Sequence, residues 1–175
     1  MEMSTSIRLC PVSIALLRDY YRDFSYDPTL FSPGMPCPVY EFSEQRVADY
    51  YEALCRKPDR VNFMILFGER PVGELSLKKI DREKRACTLS IHLQNDSVKN
   101  RGIGTEAEKQ AVEYAFETLG METVLADAVL TNRRSRHVLE KVGFCPIGED
   151  ETFAYYRLEK KTGEDARKVP LFGTI

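Results

Sequence analysis

The stretch of this 175-residue chain richest in chemical possibility is Ser97-Val98-Lys99-Asn100-Arg101-Gly102-Ile103-Gly104-Thr105. Two glycines let a backbone turn tightly and approach a ligand closely. A long helical pattern follows at once, and the unpaired N–H groups of a helix N-terminus form a phosphate site that the helix dipole reinforces. Lys99 and Arg101 add positive charge where a pyrophosphate would sit. Taken alone, the loop has two readings: an anion cradle, or a glycine turn ahead of a capped helix, since Thr105 and Glu108 have capping-box spacing. Gly102-Ile103-Gly104-Thr105-Glu106-Ala107 also matches the G-x-G-x-x-A dinucleotide fingerprint. That motif needs a buried strand running straight into the glycines, and here a polar stretch from Gln94 to Arg101 intervenes.

Other residues could move a proton. Thr88, Ser90 and His92 share one strand face by period-two alternation. An imidazole with an intrinsic pKa of about 6.5 suits a general base; a partly buried strand histidine is the plain alternative. Glu74, on the neighbouring strand, is a second base candidate or an outward-facing carboxylate. Asn132 stands where a helix N-cap belongs. Arg133, Arg134, Arg136 and His137 crowd the start of that helix, where the dipole disfavours cations, so they point to an anionic neighbour or to a solvated face. His92 and His137 lie far apart, and no metal site is expected.

The elements that must position these residues can be read from periodicity. Ile7 to Cys10 is a short strand, Pro11 suits a helix start, and the helical spacing runs from Val12 to Phe24. The stretch from Asp27 to Pro38 holds four of the nine prolines and is an irregular loop. Ser43 opens a second helix that ends by Pro58. Val61 to Phe67 is almost wholly apolar, which predicts a strand buried on both faces. Short turns then lead into strands from Val72 to Lys79 and from Ala86 to Leu93, an antiparallel meander. Thr105 to Leu119 is a long helix, Thr123 to Val129 a strand, Arg133 to Val142 a helix stopped by Gly143, and Phe153 to Leu158 a last strand. One mixed sheet flanked by helices is the expected α/β architecture. The domain should occupy residues 1–160, with 161–175 as a charged, then apolar, C-terminal tail.

Composition narrows the function classes. With 43% hydrophobic and 30% charged residues the chain reads as a globular protein. Lys+Arg 25 against Asp+Glu 27 argues against general nucleic-acid binding. Apolar runs are too short to cross a bilayer, and the N-terminus lacks a signal-peptide core. The five cysteines form no C-x-x-C pair, which fits reduced thiols and a cytoplasmic setting. No partner in nucleic acid or membrane is expected, and a homodimer is compatible with this reading.

Lys99-Asn100-Arg101-Gly102-Ile103-Gly104 resembles the pyrophosphate loop of the GNAT superfamily of acyl-CoA N-acyltransferases, Q/R-x-x-G-x-G/A. A second block agrees: Asn132-Arg133-Arg134-Ser135, then Leu139-Glu140-Lys141-Val142-Gly143-Phe144. It is similar to the N-x-x-S…EKxGF block of the branch that contains ribosomal-protein N-terminal and spermidine acetyltransferases. The resemblance spans about residues 5–160 and is tight from Leu89 to Phe144.

The resemblance implies a GNAT fold and an acetyl-CoA-dependent N-acetyltransferase acting on an amine through a direct ternary complex. It implies that the main chain at His92, Leu93 and Gln94 holds the pantetheine arm. The loop Lys99, Asn100, Arg101, Gly102, Ile103, Gly104 and Thr105 would hold the pyrophosphate, and Asn132 the cofactor arm. The family's glutamate base is Thr88 here, and its thiolate-protonating tyrosine is Leu139. His92 or Glu74 would then serve as base, and Ser135, matching a serine the ribosomal branch places near the thiolate, as acid. The acceptor side would draw on Asp23, Asp27, Glu41 and Glu44 and on Tyr20, Tyr21, Tyr40, Tyr155 and Tyr156. The two departures leave a rival reading, a catalytically silent acyl-CoA-binding regulatory module.

Overall fold

The apolar run at residues 63–67 has no polar face to offer water, and the sheet absorbs it in its interior. A computed structural model describes residues 6–28, 31 and 35–161. In chain order it contains β1 (Ile7–Pro11), α1 (Ile14–Arg22), α2 (Glu44–Cys55), β2 (Val61–Phe67), β3 (Arg70–Asp81), β4 (Ala86–Leu93), a 3-10 turn (Asp96–Val98), α3 (Ile103–Glu117), β5 (Thr123–Val129), α4 (Arg133–Val142), β6 (Cys145–Glu149) and β7 (Phe153–Glu159). The strands form one sheet in the order β1-β2-β3-β4-β5-β7-β6. Every neighbouring pair is antiparallel except β4 and β5.

The sheet divides two cores, and β2 belongs to both. Phe63 and Ile65 join the larger cluster beneath α3, while Met64 and Leu66 join Leu17, Tyr20, Val47 and Leu54 of α1 and α2. Four consecutive buried residues are what a strand covered on both faces requires. On α3, Ala107, Ala111 and Ala115 are fully buried, and their small side chains let the helix lie close to the sheet. Hydroxyl caps set both early helices: Ser13 Oγ accepts from Leu16 N–H and Ser43 Oγ from Arg46 N–H, each at 3.3 Å.

Three expectations are corrected. The first helix starts after Ser13, because Pro11 completes β1 instead of opening α1. The Thr105–Glu108 capping box does not form: α3 begins earlier, at Ile103, with Gly102 as its N-cap and no side-chain cap bond. The structure also contains β6, an edge strand exposed along its whole length. Its sequence, Cys-Pro-Ile-Gly-Glu, lacks the apolar alternation that marks strands, and its pairing to β7 slips between Pro146 and Gly148. Residues 162–175, where most of the expected tail falls, lie outside the described residues, as do five positions of the proline-rich loop. Among the described residues no helix is long and apolar enough to cross a membrane.

Candidate active site

The site originates in the one parallel strand pair. β4 and β5 are in register only from Ala86↔Thr123 to Leu89↔Ala126. Beyond that point β4 stays with β3 as far as Leu93↔Gly73, while β5 stays with β7 as far as Val129↔Phe153. The two strands therefore diverge, and among the described residues no strand pairs with 90–93 on their β5 side. A cleft of about 140 Å³ opens there, between Ile91, His92 and Leu93 of β4, Gly104 and Glu108 of α3, and Asn132, Arg134, Ser135 and Val138 of α4. A smaller cavity of about 50 Å³ adjoins it, lined by Leu89, Ser90, Ala126, Asp127 and Leu139 and sharing Ile91, Glu108 and Ser135.

The glycine loop forms the entrance to α3. Asn100 and Gly102 both adopt left-handed backbone, at φ +58° and +76°, a conformation that glycine takes without strain. With no side chain capping α3, its first-turn amides keep their donors for a ligand. The side-chain charge is arranged differently from expectation. Lys99 Nζ lies 2.6 Å from Asp27 Oδ2 and 2.9 Å from Asp96 Oδ1 and is only 9% exposed; its hydrogen bond holds the Asp96 carboxyl below the usual range. Arg101 stacks over Phe67 at 4.8 Å. Lys99 is thus paired within the protein, whereas Arg101 keeps its charge at an exposed position of the loop. Arg134, which lines the cleft and lies 3.6 Å from Asp96, is a second guanidinium nearby. Ile103 contributes only main chain, since its side chain is in the core.

Gln94 is a correction. Its N–H bonds to Val72 O and its C=O accepts from Ser25 N. Its buried side chain donates to Tyr20 O at 2.6 Å and accepts from Arg70 at 3.1 Å. Gln94 ties β4 to β3 and α1, and its main chain is already committed. Asn132 is the α4 N-cap, its Oδ1 accepting from Ser135 N–H at 3.0 Å, and it lines the cleft as well.

The two base candidates prove to be one assembly. Glu74 and His92 are register partners on β3 and β4, and His92 Nε2 lies 3.0 Å from Glu74 Oε2. Tyr21 Oη donates to the same oxygen at 2.7 Å, and Tyr50 also bonds to Glu74. Burial, reinforced by the Glu74 carboxylate, pushes the Tyr21 and Tyr50 hydroxyls well above the usual phenol range, so both remain donors. Glu74 is buried while the His92 side chain is 43% exposed. The imidazole thus reaches the cleft from a fixed carboxylate. Tyr20 and Phe24 flank His92 with ring centroids at 5.8 and 5.9 Å, and Tyr21 stacks on Tyr40.

Other acceptor-side expectations are not met. Asp23, Asp27 and Glu44 are ion-paired with Arg70, Lys99 and Arg18. Tyr156 is buried and Tyr155 bonds to Asp150, so neither joins the aromatic group. Sequence reasoning placed Tyr21 on the acceptor side but not on Glu74, and it missed Tyr50 and Glu108 as site residues. Tyr21 and Tyr50 look like ordinary helix-face aromatics until α1 and α2 are packed over Glu74. Glu108 was read as a cap, although it lies one turn after Gly104 and one turn before Val112 on the buried stripe of α3. It is 1% exposed, its Oε2 has no hydrogen-bond partner among the described residues, and burial pushes its carboxyl up to about 8.

A mostly antiparallel sheet opened at one parallel pair, with an uncapped helix at the opening, is an acyltransferase architecture. The chain belongs to the acetyltransferase (GNAT) domain family, whose model matches residues 7–145. It is 31% identical over 110 residues to "Probable N-acetyltransferase YjcK" of Bacillus subtilis (strain 168), covering 62% of this chain and 60% of that protein. YdaF of the same organism, whose name places it among ribosomal N-acetyltransferases, is 29% identical over 85 residues, 49% of this chain and 46% of that protein. These alignments span less than two thirds of either relative, 60% of one and 46% of the other. The fold is shared with spermidine N-acetyltransferase from Vibrio cholerae, solved with CoA and spermine, at a TM-score of 0.70 and 14% identity over 87% of this chain and 95% of that one.

Proposed function

We propose that this chain transfers an acetyl group from acetyl-CoA to an amine, of a small molecule or a protein N-terminus, within one ternary complex. The observation that carries the reading is the β4–β5 opening, which lies between the uncapped start of α3 and the Glu74–His92 pair. The residues present fit the cofactor. Open strand edge at residues 90–93 suits an extended polar arm, and free helix amides suit a pyrophosphate. When bound, acetyl-CoA supplies an activated thioester.

The chain's own residues then have distinct tasks. Backbone amides from Asn100 to Thr105 hold the diphosphate, with Arg134 within reach of further anionic charge. Main-chain donors of β4 orient the thioester carbonyl and stabilise negative charge developing on its oxygen. Glu74, held by Tyr21 and Tyr50, fixes the His92 tautomer with hydrogen on Nε2, leaving the Nδ1 lone pair to take the proton of the incoming amine. A free lysine-type amine has a pKa of about 10.4, so this removal is needed for attack. Ser135, lining both the cleft and the smaller cavity, hydrogen-bonds the departing sulfur where Leu139 offers nothing. The aromatic group around His92 guides the acceptor.

The test is a turnover screen across polyamines, amino acids, aminoglycosides and peptide N-termini, reading thiol release. His92→Gln should lower kcat and remove the acidic limb of its pH profile while acetyl-CoA affinity stays unchanged. Tight acetyl-CoA binding with no turnover on any amine would instead establish the silent binding module.

A further inference from the structure

Glu108 is the strongest unexplained group in the molecule. Its carboxyl is almost wholly out of solvent, and Oε2 has no partner among the described residues. Leaving a buried polar oxygen unsatisfied is destabilising, so a partner absent from the protein alone is the economical explanation. The residue lines both the cleft and the adjoining cavity, so that partner is something that enters them. We infer that Glu108, as a neutral carboxyl, binds a secondary amide of the pantetheine arm by donating its O–H to the amide oxygen.

The chemistry matches. A protonated carboxyl carries one O–H donor, and the carbonyl oxygen of a trans secondary amide is an acceptor that can take it. An ionised carboxylate could accept but not donate, and it would face the carbonyl with like polarity. Glu108 is kept neutral by its surroundings: desolvation is the sole cause of its shift, and that shift places the carboxyl in the protonated form at neutral pH. The ionisable groups lining the same two cavities are His92 on β4, Asp127 on β5, Arg134 on α4 and the Lys99–Asp27 pair. Lys99 is already neutralised by Asp27 and Asp96, and Arg134 faces Asp96, so neither stands as a counter-ion to Glu108.

The inference rests on the reading of the cleft as the cofactor site, and the experiment separates the two. Affinity for acetyl-CoA and for CoA is measured by calorimetry at pH 7 on the wild type, Glu108→Gln and Glu108→Leu, with thermal midpoints confirming folding. Glutamine keeps a donor at the same position, so its affinity should lie within about threefold of wild type. Leucine should bind both ligands at least tenfold more weakly. From pH 7 to 9, with acetyl-CoA as the ligand so that no cofactor thiol titrates, wild-type affinity should fall about tenfold relative to the glutamine variant. Wild type that binds neither ligand would remove the cofactor reading and this inference together. Normal binding in the leucine variant, a loss confined to acetyl-CoA, or a wild-type to glutamine ratio constant with pH would overturn the inference and leave the cofactor site standing.

Discussion

Burying an acid without a counter-ion must appear in the pH dependence of folding, and Glu108→Gln isolates it. The carboxyl is shifted from an ordinary 4.5 to about 8 in the folded chain. An acid raised in this way binds more protons folded than unfolded. Its contribution is therefore complete below about pH 4.5 and is lost as pH climbs toward 8. The slope is about 1.4 kcal/mol per pH unit, which over the two and a half units up to pH 7 accumulates to at most about 3 kcal/mol. Glutamine carries no such proton. Urea unfolding of both proteins at pH 5, 6, 7 and 8.5, without cofactor, should show similar stabilities at pH 5. A gap in favour of the variant should then widen to about 2–3 kcal/mol at pH 7 and level off above pH 8. Because every other titrating group is common to the two proteins, the difference belongs to position 108. Curves that run parallel across the range would refute the neutral, desolvated carboxyl.

Other outcomes follow from the same geometry. Gly102→Ala puts a side chain on backbone at φ +76° with nothing within 4 Å of the added atom, so its cost is conformational, about 1–2 kcal/mol. Calorimetry should also show at least tenfold weaker acetyl-CoA binding as the α3 amides lose their close approach; unchanged affinity would remove the loop from the site. Ser135→Ala should reduce turnover without weakening acetyl-CoA binding, and adding Leu139→Tyr should restore part of the rate. A variant that is only less stable would show that the hydroxyl serves α4 alone.

Local chemistry made much of this protein legible before any packing was known. The glycine loop, the block from Asn132 to Phe144 and the doubly buried β2 are signals carried by a few adjacent residues, and backbone sterics and hydrophobic periodicity act at that range. The cap hydroxyl at Ser43 belongs to the same class. What the one-dimensional pattern left open concerned partners distant in the chain. That Glu74 and His92 are one assembly depends on the β3–β4 register, and its tyrosine donors arrive on helices more than twenty residues away. That Lys99 is spent on Asp27, 72 residues upstream, and Gln94 on Tyr20 depends on how the loop folds over the sheet. Glu108 shows the division most clearly. As sequence it fits a capping box and lies equally well on the buried stripe of α3, and helix geometry alone cannot choose between them. Only the packing of α3 against β4, β5 and α4 withdraws water from its carboxyl, because desolvation is a property of everything surrounding a group and is encoded in no short stretch of chain.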